Sequence, residues 1–245
     1  MKAVIVAAGR GKRLMPLTSD TPKPLLKIHD VTLLEYLLRG LRSAGVTDVI
    51  VVIRYLGEMI PNAFGGGSSL GMNLSYIEQT GPDGTGSAAL SAETLAGDEP
   101  FMLLWGDILM DPSNYARIQG LYADHPCDLL STLNWLDDPS SGASVCVEGD
   151  RITSITEKPP ADLPPSHWNQ AGLFVCTRGI FEALHEIGLS PRGEIEFTAG
   201  VQGLLEQGRD VRCMLIPRGD FWSDVGTPEV LAELNADPRV LEILT

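Results

Sequence analysis

The segment that most limits what this chain can become is its start. An apolar run, Ala3-Val4-Ile5-Val6, passes directly into Ala7-Ala8-Gly9-Arg10-Gly11-Lys12-Arg13-Leu14. A short apolar run bounded by glycine reads as a buried strand of a parallel sheet. Gly9 and Gly11 let the backbone turn with positive φ and approach a ligand closely. Amides in such a turn converge on an anion, and Lys12, Arg13 and the later Lys23 add fixed positive charge. Arg13 can grip a phosphate through two parallel hydrogen bonds. The turn therefore predicts a polyphosphate cradle at the carboxyl end of a strand, where open α/β sheets bind ligands. The competing reading is an ordinary basic strand-to-helix turn.

Two common phosphate loops are excluded. The dinucleotide fingerprint requires a third glycine where Leu14 stands, and no acidic ribose ligand follows in a clear position. The triphosphatase loop requires serine or threonine after Gly11-Lys12, where Arg13 stands.

Apolar runs at 48–53, 73–77 and 101–105 alternate with helical patterns at 33–44, 55–64 and 85–95. Gly45 stands where a helix C-cap glycine belongs. This alternation predicts a right-handed, doubly wound α/β fold. Beyond about residue 110 the pattern loosens. Strands are expected at 128–133, 143–147, 151–156, 170–176 and 211–216, and helices at 178–185, 195–207 and 228–235. Pro159 to Pro165 reads as a surface loop. No linker composition interrupts residues 1–245, so a single domain is expected, with a nucleotide half to about residue 110 and a sugar half from about 111.

The residues from Ala7 to Thr18, continued by Pro22-Lys23-Pro24-Leu25-Leu26, resemble the signature of the sugar-1-phosphate nucleotidylyltransferases, also called nucleoside-diphosphate-sugar pyrophosphorylases. The resemblance extends to about Pro228, and the run Arg192 to Thr198 is most like thymidylyl and uridylyl members. It implies a Rossmann-like, mixed, mostly parallel sheet of the nucleotide-diphospho-sugar transferase type. The implied reaction is attack by a sugar 1-phosphate oxygen on the α-phosphorus of a nucleoside triphosphate, with pyrophosphate leaving. Such chemistry needs alignment and charge neutralisation rather than a covalent intermediate.

The resemblance also implies roles. Ala7, Ala8, Gly9, Gly11, Lys12 and Arg13 would hold the nucleotide phosphates, with Arg13 and Lys23 the catalytic cations. Gln79, Gly84 and Thr85 would meet the base, and the glutamine favours UTP or dTTP. Gly142, Glu157, Lys158, Gln170 and Gly172 would take the sugar phosphate, with glucose 1-phosphate favoured. Gln170-Ala171 departs from the threonine or asparagine-threonine common there, which puts the sugar in question. Ala199 replaces a usual aspartate. Asp107 and Asp224, each next to glycine or a small residue, would hold Mg2+ with substrate phosphates and water completing its shell. By pattern alone both read equally as turn or capping aspartates.

Alternatives within the enzyme class are a guanylyl or cytidylyl transferase, or one acting on an amino sugar. From another class, the alternative is a non-catalytic regulatory module of the same fold, which the retained Arg13, Lys23, Asp107, Lys158 and Asp224 argue against.

The net charge of −14 argues against nucleic acid and anionic membrane as partners. It also requires that anionic substrates be met by a local basic pocket completed by a cation. Cys127, Cys146, Cys176 and Cys213 form no CxxC pair and read as reduced residues of a cytoplasmic protein. No membrane-length apolar run, hexapeptide-repeat tail or large C-terminal helical extension is expected. Homo-oligomerisation is left open.

Overall fold

The computed structural model describes residues 1–139, 142–159 and 166–244. The loop expected at 159–165 falls, from residue 160 on, outside them. β1 (Lys2–Val6) is central, flanked in parallel by β4 (Asp48–Ile53) and β6 (Phe101–Trp105), and β5 (Asn73–Glu78) extends β4, also in parallel. The short β2 (Lys27–Ile28) and β3 (Val31–Thr32) form a separate hairpin.

The second half continues the same sheet with mixed polarity. β11 (Trp168–Cys176) runs antiparallel to both β6 and β8 (Leu129–Trp135). β12 (Val211–Leu215) lies parallel to β8, and β10 (Arg151–Glu157) is antiparallel to β12 and to β9 (Ala143–Glu148). The nine strands are ordered β5-β4-β1-β6-β11-β8-β12-β10-β9. The expected mixed α/β sheet with helices against it is therefore present.

Both faces are covered, which explains why the parallel strands lack polar alternation. Ile5 packs into one cluster with Leu34, Leu37, Leu38 and Leu41 of α1 (Leu33–Ser43). Val4 faces the other cluster, with Ala88 and Ala89 of α3 (Thr85–Ser91) and residues of α6 (Gly179–Glu186) and α7 (Phe197–Glu206). Thr32 caps α1, its hydroxyl accepting from the Glu35 N–H at 3.2 Å. Gly45 ends it with φ of 77°.

Three expectations need correction. The helix read at 55–64 begins only at Met59, as α2 (Met59–Phe64), since residues 55–58 form turns. The helix read at 85–95 breaks at Ala92, and α4 (Glu93–Ala96) follows α3. A whole helix, α5 (Ser113–Asp124), was not expected. Its buried face combines Ile118 with Asn114, Tyr115 and Tyr122, so its apolar stripe is weak. β7 (Ile108–Met110) and β13 (Trp222–Asp224) also escape the sequence, each being three residues long. α8 (Pro228–Ala236) and α9 (Pro238–Leu244) close the chain.

Candidate active site

The carboxyl ends of β1, β4 and β6 open onto a cleft of about 870 Å³. The turn after β1 behaves as its glycines require. Gly11 has φ of 65°, and a Cβ there would lie 3.0 Å from the Thr18 methyl. Thr18 pins the loop, its hydroxyl donating to the Gly11 carbonyl at 2.9 Å. Arg10 lies over the Tyr55 ring, 5.1 Å from its centroid. Lys12 and Arg13 begin a single 3₁₀ turn and line the cleft.

Asp107 and Asp224 reach the same place by different routes. The Gly106 N–H donates to the Val6 carbonyl at 2.8 Å, and a Cβ at Gly106 would sit 2.6 Å from that oxygen. Glycine is thus needed for close approach of β6 to the end of β1, which delivers Asp107 beside the glycine turn. β13 pairs antiparallel with β7, with Asp224 opposite Ile108, and the Val225 N–H donates to the Asp107 carbonyl at 2.9 Å. The two carboxylates feel each other: burial, and then the Asp107 charge, push the Asp224 carboxyl above the ordinary carboxylate range.

Two cations face this pair. Lys23 Nζ is 2.6 Å from Asp107 Oδ2, with its side chain only 10% exposed. Arg13 stands 4.0 Å from Asp224 Oδ2 and is 70% exposed. Gly226 makes room for the arginine, since a Cβ there would lie 2.7 Å from its guanidinium. Carboxylate oxygens are hard donors suited to Mg2+. Among the described residues no group of three or more His, Cys, Asp or Glu side chains could hold a metal ion, so this pair would need oxygens from a substrate.

On the nucleotide side, Gln79 is buried, and its amide N–H₂ donates to the carbonyls of Pro82, at 3.0 Å, and Gly84, at 3.4 Å. With the donors committed, Oε1 is the part of Gln79 left for a ligand. Gly84 has φ of 114°, and a Cβ there would collide with the Ile195 carbonyl. The Ile195 N–H donates to the Asp83 carbonyl at 3.0 Å, the Gly86 N–H donates to the Ile195 carbonyl at 2.9 Å, and the Phe197 N–H donates to Thr85 Oγ1 at 3.2 Å. The base segment is therefore tied to the chain entering α7.

On the other side, Glu157 is paired in register with Ala143, and the Lys158 N–H donates to the Gly142 carbonyl at 2.7 Å. Burial raises the Glu157 carboxyl above its ordinary range; Lys158 opposes the shift and Glu196 adds to it. Thr198 Oγ1 donates to Glu157 Oε2 at 3.4 Å, and Arg192 lies 2.6 Å from Glu196 Oε1 and 3.8 Å from Glu157 Oε1. Gly142 is needed because a Cβ would strike the Asn169 side-chain oxygen.

Most of the residues read from the sequence thus line one cleft. Two do not. Ala7 is buried, its N–H donating to the Val52 carbonyl at 2.9 Å. Gly172 is packed away, with a would-be Cβ 2.7 Å from Ile108. The cleft also has residues the sequence did not single out: Arg54, ion-paired to Asp83 at 2.6 Å, and Tyr55, Asn169, Glu196 and Trp222. Trp222 Nε1 donates to the Ala171 carbonyl at 2.9 Å, a long-range contact with no local sequence signal.

A family model described as nucleotidyl transferase matches residues 2–239. The chain belongs to that family. It is 32% identical over 251 residues to UTP–glucose-1-phosphate uridylyltransferase AglF of Haloferax volcanii, covering all of this chain and 98% of that one. It is 31% identical over 236 residues to glucose-1-phosphate thymidylyltransferase of Streptomyces antibioticus, covering 96% of this chain. The chain spans about 65% of the length of the latter relative, as it does of the glycan-biosynthesis nucleotidyltransferase Agl11 of Haloferax volcanii. A crystal structure of UDP-glucose pyrophosphorylase complexed with UDP-glucose shares the fold, with a TM-score of 0.84 and 24% identity over 96% of this chain and 97% of that one. In this nucleotidyl transferase, no helix among the described residues is long and apolar enough to cross a membrane.

Proposed function

We propose that the protein transfers a nucleotidyl group from UTP or dTTP to a sugar 1-phosphate, with glucose 1-phosphate the preferred acceptor, giving an NDP-sugar and pyrophosphate. The nucleotide occupies the first half of one domain and the sugar phosphate the second. The observation that carries this reading is the meeting of Arg13, Lys23, Asp107 and Asp224 in the cleft that Glu157 and Lys158 also line.

Arg13 neutralises charge on the triphosphate as the bond to pyrophosphate breaks, and the glycine turn and Lys12 hold the phosphates. Lys158 holds the sugar phosphate so that its oxygen attacks the α-phosphorus in line with the leaving pyrophosphate. Glu157 accepts from sugar hydroxyls. Asp107 and Asp224 would hold Mg2+, which when bound supplies charge neutralisation of the phosphates. The raised Asp224 carboxyl supports this fit, because a divalent cation relieves the crowding of two carboxylates.

The orientation of Gln79 supports a base with a ring N–H, because Oε1 can accept from N3–H of uracil or thymine, and cytosine has no hydrogen there. Guanine also has a ring N–H, so a guanylyl transferase is the second reading. The test is pyrophosphate release with Mg2+, glucose 1-phosphate and each of UTP, dTTP, CTP and GTP, with the products identified by mass. Release with UTP or dTTP and formation of the matching NDP-glucose is expected. No release with any of the four, across a panel of hexose and amino-sugar 1-phosphates, would remove the proposal.

A further inference from the structure

The two cations at the aspartate pair differ in kind. Arg13 is exposed and at the margin of contact with Asp224. Lys23 is buried and makes a short hydrogen bond to Asp107 Oδ2. Its position is built in. Lys23 opens a 3₁₀ turn, Lys23–Leu25, between Pro22 and Leu26, and a Cβ on Gly11 would meet the Lys23 Cβ at 3.4 Å. The stem of the lysine therefore runs directly beneath the glycine turn, with its ammonium between that turn and Asp107. The ammonium has three donors, and among the described hydrogen bonds one is used, on Asp107.

We infer that Lys23 is a place-holding counter-ion: in the nucleotide-free protein its ammonium occupies the position on Asp107 that a divalent cation must take. It passes to a phosphate oxygen only when a nucleoside triphosphate supplies one. The inference rests on the metal role proposed for Asp107 and gives that role a regulation. A buried carboxylate is costly without a partner, so Asp107 keeps one at all times. A divalent cation arriving alone must displace a charge-assisted hydrogen bond and leave a buried ammonium unpaired. Arriving with a triphosphate, it leaves Lys23 a new anionic partner. The site thus takes up the metal poorly by itself and well as part of the nucleotide complex. Arg13 cannot do this, because its exposed guanidinium is solvated whether or not Asp224 is its partner.

The test is Mn2+ binding to the nucleotide-free protein, read from the free-ion EPR signal, in wild type, Lys23→Met and Lys23→Arg. Asp107→Asn identifies the binding that belongs to this site. Lys23→Met should bind Mn2+ at least about tenfold more tightly than wild type, the scale expected for removing one competing charge. Lys23→Arg, which keeps the charge, should stay at or below wild-type affinity. Equal or weaker binding by a folded Lys23→Met overturns the inference.

Wild type offers a second measurement that needs no folded Lys23→Met. The 15N ammonium resonance of Lys23, assigned by its loss in Lys23→Arg, should keep its position when a few millimolar Mg2+ is added alone and shift when UTP is added with it. A full shift with Mg2+ alone, or none with Mg2+ and UTP under conditions where UTP binds, overturns it. These readouts need no turnover. Absence of pyrophosphate release would therefore count against the proposed reaction and leave this result to be judged by itself.

Discussion

The Val225 N–H donates to the Asp107 carbonyl at 2.9 Å, joining two residues that lie far apart in the chain. That bond continues the β7–β13 ribbon, in which Asp224 pairs with Ile108. The two aspartates are therefore held together by backbone rather than by side-chain contact. Their carboxylates are free to repel each other and to share a third party.

This arrangement predicts opposite effects of one substitution on stability and on activity. Burial and Asp107 raise the Asp224 carboxyl, so its ionisation in the metal-free protein opposes folding. The sign follows: the folded state holds this proton more tightly than the unfolded chain. Stability from this group therefore falls as pH rises from the ordinary carboxylate range through the raised value. Asp224→Asn should unfold at a higher temperature than wild type at neutral pH in EDTA, and the gain should vanish at acid pH. Turnover should drop by about 10²- to 10³-fold, as for loss of one group that holds transition-state charge in place. Thermal melts across pH, with and without Mg2+, check the first statement, and pyrophosphate release checks the second.

Arg13 and Gly226 predict a matched pair of variants. Arg13→Ala removes an exposed guanidinium, so the melting temperature should hardly change while turnover falls by about 10²-fold or more. Gly226→Ala leaves Arg13 in place but puts a methyl 2.7 Å from its guanidinium. That group is the end of a flexible side chain and moves at little cost to folding. Gly226→Ala should therefore lose roughly tenfold in turnover at unchanged stability, since a catalytic group displaced by an ångström loses effective concentration. Added to Arg13→Ala, the same substitution should cost nothing further. Additive losses in the double variant would show that Gly226 acts through another group.

Much of this site was legible because the residues that build it are locally unusual. An apolar strand ending in Gly9 and Gly11 with basic residues has few other uses, and Asp107 directly follows a buried strand. The role of Gly106 was misread. It is there for backbone crossing at Val6, not for room around a hydrated ion. Arg54, Asn169 and Trp222 were invisible because their positions depend on pairings across the sheet. The second half of the sheet was legible as strands but not as an arrangement. The parallel pairing of β12 with β8 and the antiparallel β11 beside β6 are set by tertiary packing, which leaves no mark at the scale of one strand. α5 was missed because buried Asn114, Tyr115 and Tyr122 do not look like an apolar stripe.

Gly84 predicts a defect felt on both sides of the cleft. Its φ of 114° is strained for any residue with a side chain, and a Cβ would collide with the Ile195 carbonyl. Gly84→Ala must push Ile195 away, breaking the bonds from Gly86 and Asp83 that tie the base segment to the entry of α7. A loss of about 1–3 kcal/mol in stability is expected. Because Glu196 and Thr198 follow Ile195 directly, KM should rise for the sugar phosphate as well as for the nucleotide. A change confined to the nucleotide KM would mean that the tie does not reach the sugar side.

Gln79 predicts how base choice fails. Its N–H₂ group donates to the Pro82 and Gly84 carbonyls, and this fixes which end of the amide a ligand meets. Gln79→Glu replaces those donors with a carboxylate oxygen facing two carbonyls, a buried repulsion worth about 1–3 kcal/mol. The loop between Pro82 and Gly84 should move, and kcat/KM for UTP or dTTP should fall by roughly ten- to hundredfold, with the KM for the sugar phosphate nearly unchanged. Lowering the pH toward 5 should recover part of the loss relative to wild type, because the protonated acid can again donate to one carbonyl. Gln79→Met, which removes the acceptor without adding charge, should show a similar loss with no recovery at low pH. If the two variants respond to pH alike, the amide does not select the base through its oxygen, and recognition rests on the backbone of Gly84.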